Sequence, residues 1–308
     1  MNHIDFRKYR DDDNELIQDF FQESYALKGV DYSWMIDRWN FTRSVSRCMN
    51  SLSLDEWESR VLVGEEKGNI VAVVNSEGEN CGEAFFQLIR DHYPKEAIKE
   101  MFDFTEEKLR VTKDGKTYVE LRLMESLTDF VEEALKRGFK KVQWSEPLSM
   151  KTLDDQLDLS YRLPKGYSFT SGSKLTGDQR AILHREAFGY QADPVLAKGC
   201  AIGFKSMEIQ PYYNKDLDLV VLNKKGMPVA FANVWHDPLN HIAILEPVGT
   251  HRNYRKMGLA KAAIFEGLKR SMELGSTKGY VGSDQDFYKA IGFEVISQLQ
   301  VYRKEFDS

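Results

Sequence analysis

The sequence predicts an α/β (α+β) chain in which one fold is written twice. Three observations carry that expectation. Strand and helix patterns recur in the same order in both halves, with Gly138-Phe139 standing where Gly292-Phe293 stands about 150 residues later. Each half holds two apolar strands joined at a turn-forming stretch, Lys67-Gly68-Asn69 in the first and Asn223-Lys224-Lys225-Gly226 in the second. The chain has 308 residues, 42% hydrophobic and 29% charged, which is enough for two ordinary globular cores.

Taken in order, residues 4–7 read as a short strand, 13–25 as a helix with an acidic start and 34–49 as a second helix. Residues 60–65 and 70–75 form the first hairpin, and 84–89 a third apolar strand. Pro94 opens a helix through Leu109, where a missing N–H costs nothing. A strand over 117–123, a helix over 127–137 and a strand over 140–145 complete the first half. A polar, Asp-rich stretch that ends at Leu163-Pro164-Lys165-Gly166 reads as a linker. The expected division is therefore 1–146, a linker over 147–165, and 166–308. In the second half, 166–170 is a strand, 179–188 and 194–207 are helices, and 217–222 and 228–235 are the paired strands. Residues 241–245 form a buried strand, followed by a basic, glycine-containing turn and a long helix whose Ala260, Ile264, Leu268 and Met272 repeat every four residues. A strand over 278–282, a short helix and a final strand over 295–302 close the chain.

Composition removes several classes. The formal net charge is −6, so a global basic footprint for nucleic acid is absent. No run of about 18 apolar residues predicts a membrane span, and the opening residues lack the apolar segment of a signal peptide. Cys48, Cys81 and Cys200 are far apart and odd in number, so neither a disulfide framework nor a cysteine zinc site is expected, and a reducing cytoplasm is. The six histidines form no metal-binding pair.

The chemistry concentrates in Glu246-Pro247-Val248-Gly249-Thr250-His251-Arg252-Asn253-Tyr254-Arg255-Lys256-Met257-Gly258-Leu259-Ala260. A strand, a basic turn and a helix start aim backbone N–H groups and the positive helix end at one point, which suits a phosphate. Pro247 lacks an N–H and would interrupt the ladder within its strand, splaying it from a neighbour. The plainer alternative is a strand end followed by an ordinary basic helix start. About thirty residues downstream, Tyr288-Lys289-Ala290-Ile291-Gly292-Phe293 places a tyrosine four residues before a Gly-Phe pair.

Arg255-x-x-Gly258-x-Ala260 followed by Tyr288-x-x-x-Gly292-Phe293 resembles the two signatures of the GCN5-related N-acetyltransferases, the GNAT superfamily. The resemblance implies two tandem GNAT folds, each a mixed, mostly antiparallel central sheet flanked by helices. It implies acetyl-CoA as acyl donor, with Arg255, Lys256, Met257, Gly258, Leu259 and Ala260 at the pyrophosphate, and Val248 and Thr250 offering backbone groups to the pantetheine arm. Ser283 stands where the family often has an asparagine against that arm; here the asparagine is missing. Resemblance to tandem GNAT proteins with one degenerate copy also fits the first half. Its turn, Arg90-Asp91-His92-Tyr93-Pro94-Lys95-Glu96-Ala97, has no glycine, carries two acids that would repel a pyrophosphate, and leads to Ala134 at the position of Tyr288. The first copy is therefore expected to be structural and not to bind acetyl-CoA.

Acetyl transfer to an amine needs a held donor, a neutral amine, a stabilised oxyanion and a protonated leaving thiolate. Tyr288 is the candidate acid for the thiolate, or else a core phenol filling a helix interface. Glu246, among apolar neighbours that would raise its pKa, is the candidate base; equally, it pairs with an arginine or the splayed backbone. The acceptor is expected near Tyr212, Trp235 and His236, with His184, Tyr190, Tyr213 and Asp237 close by in the pattern. The expected activity is N-acetyl transfer to a primary amine of a small molecule or peptide in a ternary complex, by a monomer or homodimer. The alternatives are a CoA-binding module without turnover and a transferase of longer acyl groups.

Overall fold

The structure is a computed structural model that describes residues 3–77 and 82–307; Cys81 lies outside the described residues. In chain order the elements are β1 (Asp5–Lys8), α1 (Asp13–Lys28), α2 (Ile36–Phe41), α3 (Arg47–Met49), α4 (Leu54–Glu58), β2 (Leu62–Glu66), β3 (Asn69–Asn75) and β4 (Glu83–Leu88). They continue as α5 (Lys95–Phe104), β5 (Val111–Lys113), β6 (Lys116–Leu123), α6 (Thr128–Lys136), β7 (Lys140–Thr152) and β8 (Ser168–Ser171). The remainder are α7 (Gly177–Phe188), α8 (Pro194–Met207), β9 (Asp218–Leu222), β10 (Pro228–Asp237), β11 (Ile242–Thr250), α9 (Leu259–Glu273), β12 (Lys278–Val281), α10 (Asp286–Ala290) and β13 (Glu294–Phe306). A π-helical stretch, Thr42–Ser46, joins α2 to α3, so the backbone stays helical from Ile36 to Met49.

The chain forms two compact units, and neither is contiguous. The first comprises the residues up to Met35, Leu52–Pro147 and the stretch from Ile296 onward; the second comprises Ile36–Ser51 and Leu148–Val295. This differs from a division into 1–146 and 166–308. The strand over 295–302 exists as expected, but its pairing is with β6 of the first unit, Val301 opposite Arg122. The place beside β12 in the second unit is taken by the end of β7, Tyr280 opposite Met150. Residues 147–165 are accordingly no linker: Leu153 and Leu159 are buried in the second core, and Leu157, Tyr161 and Leu163 pack on it. Alternation marks a strand but not its partner, because every strand offers the same ladder groups; long-range register decides.

Within the first unit the sheet order is β1-β2-β3-β4-β6-β13, with β5 a hairpin partner of β6. Within the second it is β7-β12-β11-β10-β9-β8. Among the described residues, each has one parallel neighbouring pair, β4 with β6 and β11 with β12. Both sheets are thus mixed and mostly antiparallel. The first core is built from Phe86, Phe102, Phe130 and Phe139 with the aliphatic faces of β3, β4 and β6. The second packs α9 onto β9, β10 and β11 through Ala263, Ile264 and Leu268.

Local chemistry sets the helices on the second sheet. Thr176 and Gln179 form a reciprocal capping box at the start of α7, and Gly189 ends that helix in the left-handed region. Asp193 accepts the N–H groups of Val195 and Leu196, and Pro194 follows at the first helical position of α8. The helix 36–49 lies against α8 so closely that a Cβ added at Gly203 would stand 2.7 Å from the Val45 Cα. Only a glycine admits that approach.

Candidate functional site

The parallel pairing of β11 with β12 covers only Ile242–Ile244 against Lys278–Tyr280. Beyond it β11 continues to Thr250 without a partner on that side, so the strands part over Leu245–Thr250. On its other side β11 carries an extra residue: Ala232 faces Val248 while Val234 faces Leu245. The bulge sits at Glu246-Pro247, whose peptide bond is cis. The Glu246 carbonyl, displaced from the ladder, accepts from Asn233 Nδ2 at 3.1 Å and from Trp235 Nε1 at 2.7 Å. Two buried side chains thus hold the bulge that sequence reasoning placed at Pro247.

The turn after β11 runs through a 3-10 stretch, Arg252–Tyr254, to Lys256 at φ 62° and Gly258 at φ 74°. Gly258 caps α9 from the left-handed region, where an L-residue is strained. The first bond of the helix runs from Ala262 N–H to the Gly258 carbonyl. The N–H groups of Leu259, Ala260 and Lys261 precede it and have no intrahelical acceptor. Arg255, Lys256, Met257 and Gly258 are exposed, while Leu259 is buried in the second core. Arg255 is partly committed: its Nη2 donates to the Ala187 carbonyl at 2.5 Å, tying the turn to the end of α7.

Tyr288 lies on α10, 8% exposed, edge-on to Phe293 at 5.9 Å between ring centres. Burial, and then the charge of nearby Glu246, push its phenol well above the usual tyrosine range. Among the described residues its hydroxyl has no hydrogen-bond partner. The site therefore consists of parted strands, a bulged carbonyl held in place, open N–H groups at a helix start, and a protonated phenol near Glu246.

Residues 189–293 match the Acetyltransferase (GNAT) family profile. That segment is a GNAT-family domain. None of the curated proteins compared matches the chain by sequence. Among solved structures, a GCN5-related N-acetyltransferase from Sphaerobacter thermophilus is similar at 15% identity over 98% of this chain and 95% of that one, with a TM-score of 0.61. A tandem GNAT protein from the clavulanic acid biosynthesis pathway aligns at 12% identity over 99% of this chain and 100% of that one, TM-score 0.62. N-myristoyltransferase from Saccharomyces cerevisiae, with bound myristoyl-CoA, aligns at 9% identity over 98% and 80%, TM-score 0.56. At these identities the likeness is one of fold, and that fold is the tandem GNAT architecture, a scaffold of CoA-dependent acyl transfer.

Within the GNAT domain the other expected residues separate. Val248 and Thr250 lie on the free stretch of β11, half-buried. Ser283 Oγ accepts the Gln285 N–H at 3.3 Å, and its carbonyl accepts from Ser149, so the residue shapes the turn before α10. Trp235 is buried at 1% exposure and its indole is spent on the bulge, which makes it a support rather than a surface. His236 faces Ser276 at 2.9 Å, on the end of β10 away from the bulge. Burial holds its imidazole below the ordinary histidine range. Asp237 turns back to the 239–240 backbone N–H groups. Tyr212 takes a left-handed backbone at φ 63°. Tyr213 donates to Asp218 at 2.9 Å and stands edge-on to Trp235. Asp218 also accepts from Arg180 Nη1 on both carboxylate oxygens at 2.8 Å, a buried pair in which Arg180 Nη2 has no hydrogen-bond partner among the described residues. His184 is walled by Phe188, Phe204 and Phe231, bonded to Tyr190 at 3.1 Å, and pushed down to about 4 by burial and by Arg180. It is a neutral core histidine.

Sequence reasoning missed the helix 36–49, a first-half segment that packs on α8, β10 and β11 of this unit. No local signal marks where a helix docks. Among the described residues no cluster suits a metal ion, and no helix is long and apolar enough to cross a membrane.

Proposed function

We propose that the second unit transfers an acyl group, acetyl in the simplest case, from its CoA thioester to a primary amine in a ternary complex. The observation that carries this reading is the unbonded Tyr288 hydroxyl beside Glu246 where β11 leaves β12. Backbone groups of Val248 and Thr250 on the parted strand offer the pantetheine amides the ladder bonds that β12 does not take. The open N–H groups of Leu259, Ala260 and Lys261, with the exposed charges of Lys256 and Arg255, suit the pyrophosphate. Met257 covers the turn, and Gly258 lets the backbone reach the phosphates.

In the reaction the amine nitrogen attacks the thioester carbonyl carbon. The C–N bond forms, the C–S bond breaks, and the sulfur leaves as thiolate. Tyr288, still protonated at neutral pH, gives that sulfur its proton. Glu246, half-buried at the bulge, takes the amine's proton directly or through water. The acceptor enters on the side of Tyr212, with Trp235 setting the bulge rather than touching substrate and His236 too far along β10 to serve. A reducing cytoplasm fits the free thiols Cys48 and Cys200.

Calorimetric titration with acetyl-CoA, beside Gly258→Glu, is the first test. Binding of one equivalent to the wild type and none to the variant supports the reading. A free-thiol assay with a panel of primary amines then tests turnover. Absent binding to the wild type sinks the acyltransferase, and binding without turnover under any amine leaves a CoA-binding module.

A further inference from the structure

A cavity of 320 Å³ opens between the edge strand β8, the loop before β9 and the last turn of α9. Phe169 and Leu219 give it an apolar floor. Arg270 stands in its wall, twelve residues along α9 from Gly258, which is about 18 Å at the rise of a helix. The cavity is therefore separate from the turn that suits a pyrophosphate.

Hydrogen bonds hold its walls in place. Ser171 Oγ accepts the Ser173 N–H at 3.3 Å, which fixes the short turn Gly172–Lys174. The same hydroxyl donates to the Lys215 carbonyl at 2.5 Å, which ties the loop before β9 to that turn. Lys174 and Lys215 thus stand on two joined segments that line the cavity, and both are exposed. Among the described residues neither ammonium has a hydrogen-bond or carboxylate partner. Arg270 is pinned: Nε and Nη2 donate to Glu266 Oε1 at 2.9 and 2.8 Å, and Nη1 donates to the Asp216 carbonyl at 2.8 Å. A guanidinium carries five N–H groups, so two remain unspent. Thr170 adds a hydroxyl that has no partner among the described residues. The lining holds three cations against one carboxylate, that of Asp216.

We propose that this cavity binds a phosphate monoester of a small molecule, its phosphate between Lys174, Lys215 and the spare N–H groups of Arg270, its body on Phe169 and Leu219. Like charges gathered at one cavity repel, and an anion placed among them removes that repulsion. A planar guanidinium matches the oxygens of a phosphate, and pinning it in advance lowers the entropy lost on binding. A phosphate monoester is mostly a dianion at neutral pH, so its charge matches the excess of two around the cavity. The volume stands at the small end of ligand pockets, which suits an ester of a few carbons rather than a second CoA. The site rests on this cavity and its lining and does not depend on acyl transfer.

The test titrates the full chain with glycerol 3-phosphate at an ionic strength held constant with sodium chloride. Lysine accessibility is read by reductive methylation and mass spectrometry. Labelling of Lys174 and Lys215 should slow about fivefold near saturation, while the exposed Lys198 and Lys278 label as before. Glycerol alone should protect none of them. Equal slowing at all four lysines, or none at Lys174 and Lys215, overturns the proposal. So does protection confined to Lys256, which would put the ester at the turn before α9. The double variant Lys174→Ser with Lys215→Ser changes two exposed side chains and leaves the core intact. It should lower the calorimetric affinity for glycerol 3-phosphate at least about tenfold and leave acetyl-CoA binding unchanged. Undiminished affinity for the ester overturns the proposal. A parallel loss of acetyl-CoA binding overturns it too, since the cavity would then be part of the donor site.

Discussion

The two turns that follow the central parallel strand, one in each unit, begin alike and end differently. In both units a Gly-Phe pair closes the short helix with the same bond, Phe139 N–H to Ala134 in the first and Phe293 N–H to Tyr288 in the second, each at 3.0 Å. In both, the central strand pairs in parallel for three residues and then parts. The first unit then spends what the second leaves open. Tyr93 Oη accepts the Ile89 N–H at 3.0 Å and donates to the Val71 carbonyl at 2.5 Å, stitching the turn to β3. Asp91 is held by Lys28 and Tyr32. Phe86 packs against Phe130 and Phe102 within 5.5 Å, so aromatic rings crowd the end of the strand. The cleft between α5 and α6 has a volume of 540 Å³, but Glu96, Asp129, Glu132 and Glu133 outnumber its lysines. The second unit keeps a left-handed glycine, bare N–H groups and exposed bases. A shared frame is therefore not a shared site: what counts is whether the backbone donors are already used.

The sharpest way to break this contrast is Gly258→Glu. It adds a carboxylate at the helix start and strains a left-handed position, and should weaken acetyl-CoA binding on the order of 1000-fold by calorimetry. A wild-type stoichiometry of two would show that the first turn binds as well. Next, Tyr288→Phe should leave acetyl-CoA affinity unchanged and lower turnover in the free-thiol assay by about 100-fold. If turnover holds, the phenol is core and Ala134 is no deficiency of the first unit.

Smaller effects separate the two turns as structures. Tyr93→Phe removes both bonds that close the first turn and should cost about 2 kcal/mol in chemical denaturation, with acetyl-CoA binding untouched. Trp235→Phe leaves Asn233 alone on the Glu246 carbonyl and should cost about 1 kcal/mol. It should also reduce turnover several-fold through the loosened bulge; unchanged turnover would mean that Asn233 suffices.

Much of the second unit was legible because its chemistry is local. Pro247 forecast the interrupted ladder, and the Tyr288-to-Phe293 spacing the short helix that meets the core. These depend on residues within a few positions of one another. What was not legible depends on distant partners. Val295–Tyr302 reads as a strand in any sheet, and nothing in it names β6. Trp235 and His236 are aromatic and polar in a promising place, yet one is spent on a carbonyl and the other sits at the far end of β10. Asp37, buried in the structure, looks like any acid in a first turn; its short helix packs on β10 and β11, strands some two hundred residues away.

The partnership of β6 with β13 has a consequence for how the molecule is made. Residues 116–123 leave the ribosome long before 296–306, and at about 5–20 residues per second the interval is on the order of ten seconds or more. Throughout it the first unit has an unpaired edge of backbone donors and acceptors, the kind of surface that captures stray strands. The amino-terminal unit, although synthesised first, is thus the last to be finished, and the nascent chain must keep that edge from wrong partners until its own final strand arrives.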